Sequence, residues 1–182
     1  KAGSDCLKMF VRSGVELGKA LPESMGNHWI YNKLRMHFEQ KTDGVLEPVL
    51  GEALLTKLHT DLEADSLEDP YKELRKRCAT YLAYTIYKNV VPTMLVGFTD
   101  DGNLRVLSEF DGINNRKTPT EDQLSRLVNG LDHTKNEALN ALVKYLKTNA
   151  VNIPEYVVDE TDLIAQKPRF MRNRDRKHIF TI

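Results

Sequence analysis

The sequence lacks any apolar run close to the ~20 residues that a membrane-spanning helix needs. It also lacks an excess of charge of either sign, because 26 Lys and Arg residues balance 26 Asp and Glu residues. A neutral chain has no overall field that would draw it onto nucleic acid or an anionic membrane. The sequence therefore predicts no membrane partner, and any electrostatic attraction has to be local.

Cysteine is scarce, since only Cys6 and Cys78 occur in 182 residues. A disulfide scaffold is dense in cysteine, so two distant residues do not indicate one. Cys78 lies at helical spacing from Leu74, Tyr81 and Leu82. This pattern predicts a small buried thiol on the apolar face of a helix.

Motifs that carry catalysis or hold a cofactor are absent as well. The five histidines form no His-x₃-His pair, and neither cysteine belongs to a Cys-x₂-Cys motif. There is no Gly-x-Ser-x-Gly elbow and no glycine-rich phosphate loop. We therefore predict no enzyme activity, no metal and no cofactor. An alternative stays open, in which two carboxylates converge as a general acid and base; the candidates are Glu47, Glu52, Glu63, Asp65, Glu68 and Asp69.

What the sequence does contain is helical periodicity. Apolar residues recur at steps of three and four, as Ile30, Leu34 and Phe38 illustrate, and this spacing indicates amphipathic helices. Aromatic residues on these segments, Trp29 and Tyr31 among them, are predicted to lie mostly in the core. The predicted helices cover residues 28–41, 48–63, 70–92 and 120–149.

Helix ends are marked by residues with capping chemistry. Asp43-Gly44 is predicted to end the first helix. Pro70 suits the first position of the third helix because its missing N–H costs nothing there. Thr120 and Gln123 have the spacing of a capping box at the start of the longest helix.

Two further features concern residues 84–108. Tyr84 and Tyr87 lie three positions apart beside an already complete apolar stripe, so we predict a subunit contact at this edge. After them the period changes from helical to alternating, and Asp101-Gly102 supplies the positive-φ residue of a tight turn. The sequence predicts a small β-hairpin over residues 94–108.

The chain thus divides into a helical domain and two arms. The predicted fold is mainly α: a helical bundle with one long helix, a small β-hairpin and extended termini. The predicted parts are an N-terminal arm at 1–27, a helical domain at 28–150 and a C-terminal arm at 151–182.

Positive charge is concentrated in the C-terminal arm, where basic and aromatic residues alternate. Three interpretations stay open: a solvated tail, an arm that binds acidic and apolar pockets of a protein, and a segment that contacts nucleic-acid phosphates. The candidate partner-binding residues are Lys167, Arg169, Phe170, Arg172, Arg174, Arg176, Lys177 and Phe180.

Three passages resemble a family of helical proteins from tailed phages and prophages of gut anaerobes, crAss-like phages included. They are LEPVLGEAL at 46–54, YKEL with ATYLAY between 71 and 84, and LVKYL at 142–146. The likeness extends over residues 28–150 and excludes the basic arm. The family resembles head–tail connector (adaptor) proteins of the virion.

The resemblance implies a structural virion protein, assembled in the host cytoplasm as a homo-oligomeric ring at the portal. Its implied partners are the portal and tail proteins, and it transfers no catalytic residue. We predict this function. The alternative is a helical DNA-binding or regulatory protein that uses the basic C-terminal tail, which makes nucleic acid the less favoured partner.

Overall fold

A computed structural model describes residues 9–94, 96–98, 104–106 and 120–156, with side chains over 9–92 and 120–156. The protein is mainly α, as the sequence predicts. The described residues form helices α1 (Gly14–Ala20), α2 (His28–Leu50), α3 (Glu52–Glu63), α4 (Tyr71–Met94) and α5 (Glu121–Thr148). Short 3₁₀ turns at Pro22–Ser24 and Ala150–Asn152 and strands β1 (Val96–Phe98) and β2 (Leu104–Val106) complete these elements.

Helix α4 is the centre of the packing. Helices α1, α2 and α5 all contact it, and α3 packs against α2. Leu74, Cys78, Leu82 and Ile86 of α4 are fully buried between these neighbours. Each of the three aliphatic side chains stabilises the fold by ~1.5–3 kcal/mol relative to an exposed position. Along the described part of the chain, no helix combines the length and the apolar character required to cross a membrane.

The N-terminal residues differ from the predicted arm. Residues 9–27 pack into the core, where Phe10, Val11, Leu17 and Leu21 are buried. Helix α1 begins with Ser13, whose hydroxyl accepts a hydrogen bond from the Glu16 N–H. The apolar residues of this segment need a partner surface, and α2 and α4 provide it. Residues 1–8 lie outside the described residues.

Two glycines bring α1 close to the turn that precedes α2. A Cβ atom at Gly18 would lie 2.8 Å from the Gly26 Cα atom, and one at Gly14 would lie 2.9 Å from the Gly26 carbonyl oxygen. Any larger residue would push these backbones apart. The Gly-x₃-Gly spacing of α1 therefore sets the corner where α1 meets α2.

Helix α2 passes through Asp43-Gly44, so the predicted end there is wrong. The buried residues recur every four positions, and Leu46 and Leu50 extend the row past Gly44. Burial of two leucines outweighs the ~1 kcal/mol that a helical glycine costs relative to alanine. The buried row consists of Leu34, Phe38, Thr42, Leu46 and Leu50.

Helix α3 begins later than predicted because the chain turns at Gly51. This residue has φ of 80°, a left-handed value that favours glycine. Pro48 belongs to the last turn of α2 and not to the start of α3. Likewise, α4 does not end at Pro92, the last residue of the predicted helix, but continues to Met94.

Helix α5 confirms the predicted capping box. The Gln123 N–H donates to the Thr120 hydroxyl at 3.3 Å, and the Thr120 N–H donates to Gln123 Oε1 at 3.0 Å. Its 28 residues span about 42 Å. Leu131, Leu142 and Leu146 are buried, whereas Leu127 is 45% exposed.

Strands β1 and β2 are antiparallel, with Val96 opposite Val106 and Phe98 opposite Leu104. The predicted turn at Asp101-Gly102 lies outside the described residues. The hairpin over 94–108 as a unit therefore stays a prediction.

Candidate interaction surface

The candidate partner-binding residues of the basic arm lie outside the described residues. This applies to Lys167, Arg169, Phe170, Arg172, Arg174, Arg176, Lys177 and Phe180. The structure places none of them, so their role stays a prediction.

An exposed apolar surface lies instead at the corner between α1 and α2. Val15 is 68% exposed, Met25 92%, Trp29 60% and Met36 64%. Single exposed apolar side chains are ordinary, whereas several large ones on neighbouring elements make this corner a candidate interaction surface. We call these four residues the apolar corner.

Trp29 was predicted to lie in the core, and this prediction is wrong. Ile30, Leu34 and Phe38 form the inner side of α2, and Trp29 is offset from Ile30 by one residue, or ~100° around the helix. The Lys33 ammonium lies 3.9 Å from the Trp29 ring centroid, which is a cation–π contact. The prediction missed this position; the signal that the sequence contains is the spacing of Trp29, Lys33 and Met36 at steps of four and three.

The outward side of α2 continues beyond the apolar corner with polar and acidic residues. Lys33 and Glu47 have no ion-pair partner among the residues that the structure describes. The Asp43 carboxylate lies 3.0 Å from His59 Nε2, within hydrogen-bond distance. We define the outer face of α2 as its row of exposed residues. It consists of Trp29, Lys33, Met36, Gln40, Asp43, Gly44 and Glu47.

An ion-pair cluster holds α1 in place behind the apolar corner. The Glu16 carboxylate accepts hydrogen bonds from the Arg75 guanidinium at 2.9 Å and from the Arg12 N–H at 2.7 Å. Arg75 also donates to the Phe10 carbonyl oxygen at 3.2 Å. Helix α1 is thereby tied to α4, and Val15 is presented on a fixed helix.

Tyr84 is not part of an exposed edge, so the predicted subunit contact there is wrong for this residue. Its ring is buried, and its hydroxyl donates to the Glu23 carboxylate at 3.0 and 3.1 Å. Burial and the negative charge of Glu23 raise the pKa of Tyr84 to about 12. The turn that carries Glu23 belongs to the same chain and covers the tyrosine.

The first residues of the predicted C-terminal arm are also packed against the helices. Ile153 and Tyr156 are buried, and the Glu155 carboxylate accepts hydrogen bonds from Lys57 and from the Tyr71 hydroxyl, both at 2.7 Å. Lys57 and Tyr71 lower the pKa of Glu155. Residues 151–156 are therefore anchored to α3 and α4, and the rest of the arm lies outside the described residues.

Two charged groups join α4 to α5. Asp132 accepts hydrogen bonds from Lys88 and, at 2.9 Å, from Lys135. These two ammonium groups lower the pKa of Asp132 to about 2. The contact orients α5 on α4 and has a structural role.

A solvent-open groove contains one of the carboxylates considered for acid–base chemistry, Asp69, beside a second carboxylate, Glu73. Asp69 and Glu73 line it with Lys76, Tyr145 and other residues. Glu73 is engaged by Lys76 at 3.3 Å and by Arg77 at 3.2 Å. Within the described residues, no group of three or more His, Cys, Asp or Glu side chains is placed to hold a metal ion.

The fold defines a mainly α-helical protein built around α4, with an exposed apolar corner. A family model described as "Family of unknown function (DUF6712)" matches residues 46–162, and the chain belongs to this family. No curated protein and no solved structure matches the chain. Most of the outer face of α2 precedes the matched segment.

Proposed function

We propose that this protein is a structural subunit that functions by assembling with other proteins. The observation that carries the proposal is the apolar corner, where Val15, Met25, Trp29 and Met36 are exposed on elements fixed by buried contacts. Keeping apolar surface in water is unfavourable, and covering it on assembly is favourable at roughly 25 cal/mol per Å². A subunit that is completed by its neighbours accounts for this surface.

The specific assembly that we propose is the head–tail connector of a tailed-phage virion, with the subunit in a ring at the portal. The support for this is the resemblance of residues 46–54, 71–84 and 142–146 to such proteins. These passages contribute buried residues such as Leu54, Leu82 and Leu146, so they concern the shared helical core. On this proposal the protein acts without catalysis, and its partners are portal and tail proteins.

The test is to mix the purified full chain with a purified portal ring and measure the mass of the product by light scattering after size exclusion. We expect comigration with the ring. Trp29→Asp places a carboxylate in the apolar corner and should abolish comigration. Val151→Asp is the matched control, because Val151 is an exposed apolar residue elsewhere on the surface. A chain that stays free of the ring contradicts the connector proposal.

The basic arm favours the second candidate function, DNA binding. A protein that neutralises several phosphates loses affinity steeply as the salt concentration rises. Deletion of residues 167–182 should then remove DNA affinity together with its salt dependence. Equal DNA affinity before and after the deletion would contradict this candidate.

A further inference from the structure

We propose that α2 pairs with α2 of a second copy of this chain, antiparallel, around a two-fold axis near Gln40. The proposal goes beyond the connector function, because it concerns a two-fold contact between two copies, whereas neighbours within one cyclic ring meet head to tail. The outer face of α2 is the surface that carries it.

The two halves of this outer face differ in chemistry. The N-terminal half presents Trp29, Lys33 and Met36, two large apolar side chains and one positive charge. The C-terminal half presents Asp43, Gly44 and Glu47, a small residue with two carboxylates, of which Asp43 contacts His59. The two halves are therefore complementary: large apolar side chains and a positive charge in one half match a small residue and negative charge in the other.

An antiparallel arrangement brings these unlike halves together. Met36 and Gly44 each lie four positions from Gln40, and Lys33 and Glu47 each lie seven positions from it. Pairing around Gln40 therefore places Met36 over Gly44 of the second copy, and Lys33 beside Glu47 of the second copy. By symmetry each contact occurs twice.

The residues at these positions have room for such contacts. A Cβ atom at Gly44 would meet nothing within 4 Å, so a side chain from outside finds space there. Within the described part of the chain, Lys33 contacts the Trp29 ring but no carboxylate, and Glu47 is in no ion pair. A helical glycine costs ~1 kcal/mol relative to alanine, and close approach of a second helix is a use for it.

A second copy fits this face better than an unrelated helix because the complementarity is internal to one sequence. A parallel pair would put Lys33 on Lys33 and Glu47 on Glu47, and like charges repel. The seam from Trp29 to Glu47 is about 27 Å long. Val15 and Met25 precede Trp29 in the sequence and add to the apolar surface of the seam. A stable interface buries a total of ~1,200–2,000 Å² of accessible surface.

The first experiment is a charge swap, read as the dimer dissociation constant by sedimentation equilibrium on the full chain. Lys33→Glu alone and Glu47→Lys alone should each weaken the dimer at least ~10-fold, because each turns two attractive pairs into repulsive ones. The double variant Lys33→Glu with Glu47→Lys should restore the wild-type constant. Circular dichroism and thermal unfolding of each variant check that the fold is intact.

The second experiment is disulfide trapping in a Cys6→Ser background, where Cys78 is buried and stays reduced. Gln40→Cys places one thiol on each side of the two-fold axis and should give a covalent dimer under mild oxidation. Lys41→Cys is the matched control, because it is exposed but turned ~100° around the helix.

A wild-type chain that stays monomeric at about 1 mM would overturn the proposal, because its dimer dissociation constant would then be too weak for specific pairing. So would a double variant as weak as the single variants, or equal trapping at positions 40 and 41. These outcomes are independent of the portal ring. Ring binding is measured separately on the wild-type chain, without a covalent link at position 40. Trapping at position 40 together with a wild-type chain that does not bind the ring leaves the pairing intact and contradicts the connector function alone.

Discussion

Single side chains show how burial decides chemistry in this protein. Cys78, predicted from its spacing as a buried thiol, is fully enclosed in α4, and burial raises the pKa of its thiol. Trp29, predicted as core for being aromatic on a helix, is exposed. Helical spacing succeeded for Cys78, whereas aromatic character alone failed for Trp29, because a shift of one position turns a helical side chain by ~100°.

The thiol of Cys78 should be unreactive until the chain unfolds. In a Cys6→Ser variant, a disulfide reagent should label no thiol of the native protein and one thiol in denaturant, since the thiolate is the reactive species and burial disfavours it. Measuring thiol release with and without denaturant checks this. Fast labelling of the native variant would mean that α4 is open to solvent.

The phenol of Tyr84 should make the free energy of unfolding depend on pH in the alkaline range. Its folded pKa of about 12 exceeds the ordinary 10.0, so its contribution is complete below pH 10 and is lost as the pH rises through 12. Tyr84→Phe should lower the free energy of unfolding at pH 8 by about 0.5–1.5 kcal/mol through loss of the bond to Glu23, and flatten its fall above pH 10. Urea unfolding of the wild type and of Tyr84→Phe at pH 8 and above pH 10 tests this. The same fall in unfolding free energy with pH for both proteins would contradict it.

The carboxyl groups of Glu155 and Asp132 should make the stability of the fold depend on pH in the acidic range. Both folded pKa values are lowered, so their contribution is present above the ordinary values and is lost as the pH falls through the folded ones. Glu155→Gln with Asp132→Asn should reduce stability at pH 7 and flatten its decline below pH 4.5. Urea unfolding across pH 2–7 measures both, and an unchanged acid slope would exclude these pairs as the cause.

At the scale of elements, local chemistry predicted some helix ends and missed others. The side chains of Thr120 and Gln123 each accept a hydrogen bond from the backbone N–H of the other residue. The start of α5 is therefore determined by four consecutive residues. The continuation of α2 through Gly44 depends on Leu46 and Leu50 meeting distant helices, which a local pattern does not contain. The outer face of α2 was missed for the same reason, because exposure follows from what the inner side contacts.

The corner between α1 and α2 should be sensitive to a single methyl group. Gly18→Ala places a Cβ atom 2.8 Å from the Gly26 backbone and should destabilise the fold by about 1–3 kcal/mol. Gly130→Ala is the matched control, since its Cβ meets nothing within 4 Å in α5 and should stabilise by about 0.5–1 kcal/mol. Thermal unfolding gives both values, and equal shifts for the two variants would contradict the close approach.

At the scale of the whole molecule, α4 is the helix that α1, α2 and α5 all contact. The mainly helical architecture was predictable, because apolar periodicity over long segments is a strong signal. The packing of residues 9–27 and the anchoring of residues 151–156 were not, because both depend on contacts with residues such as Arg75 and Lys57 that are remote in sequence.

The central claim is that the apolar corner is a surface covered on assembly, and Trp29 reports on it directly because it is the chain's one tryptophan. The measurement is quenching of its fluorescence by acrylamide, first on dilute chain and then on the chain at dimer-forming concentration or bound to a portal ring. The account predicts strong quenching of the dilute chain and clear protection in the assembly, with a blue-shifted emission. Equal quenching in all states would contradict it.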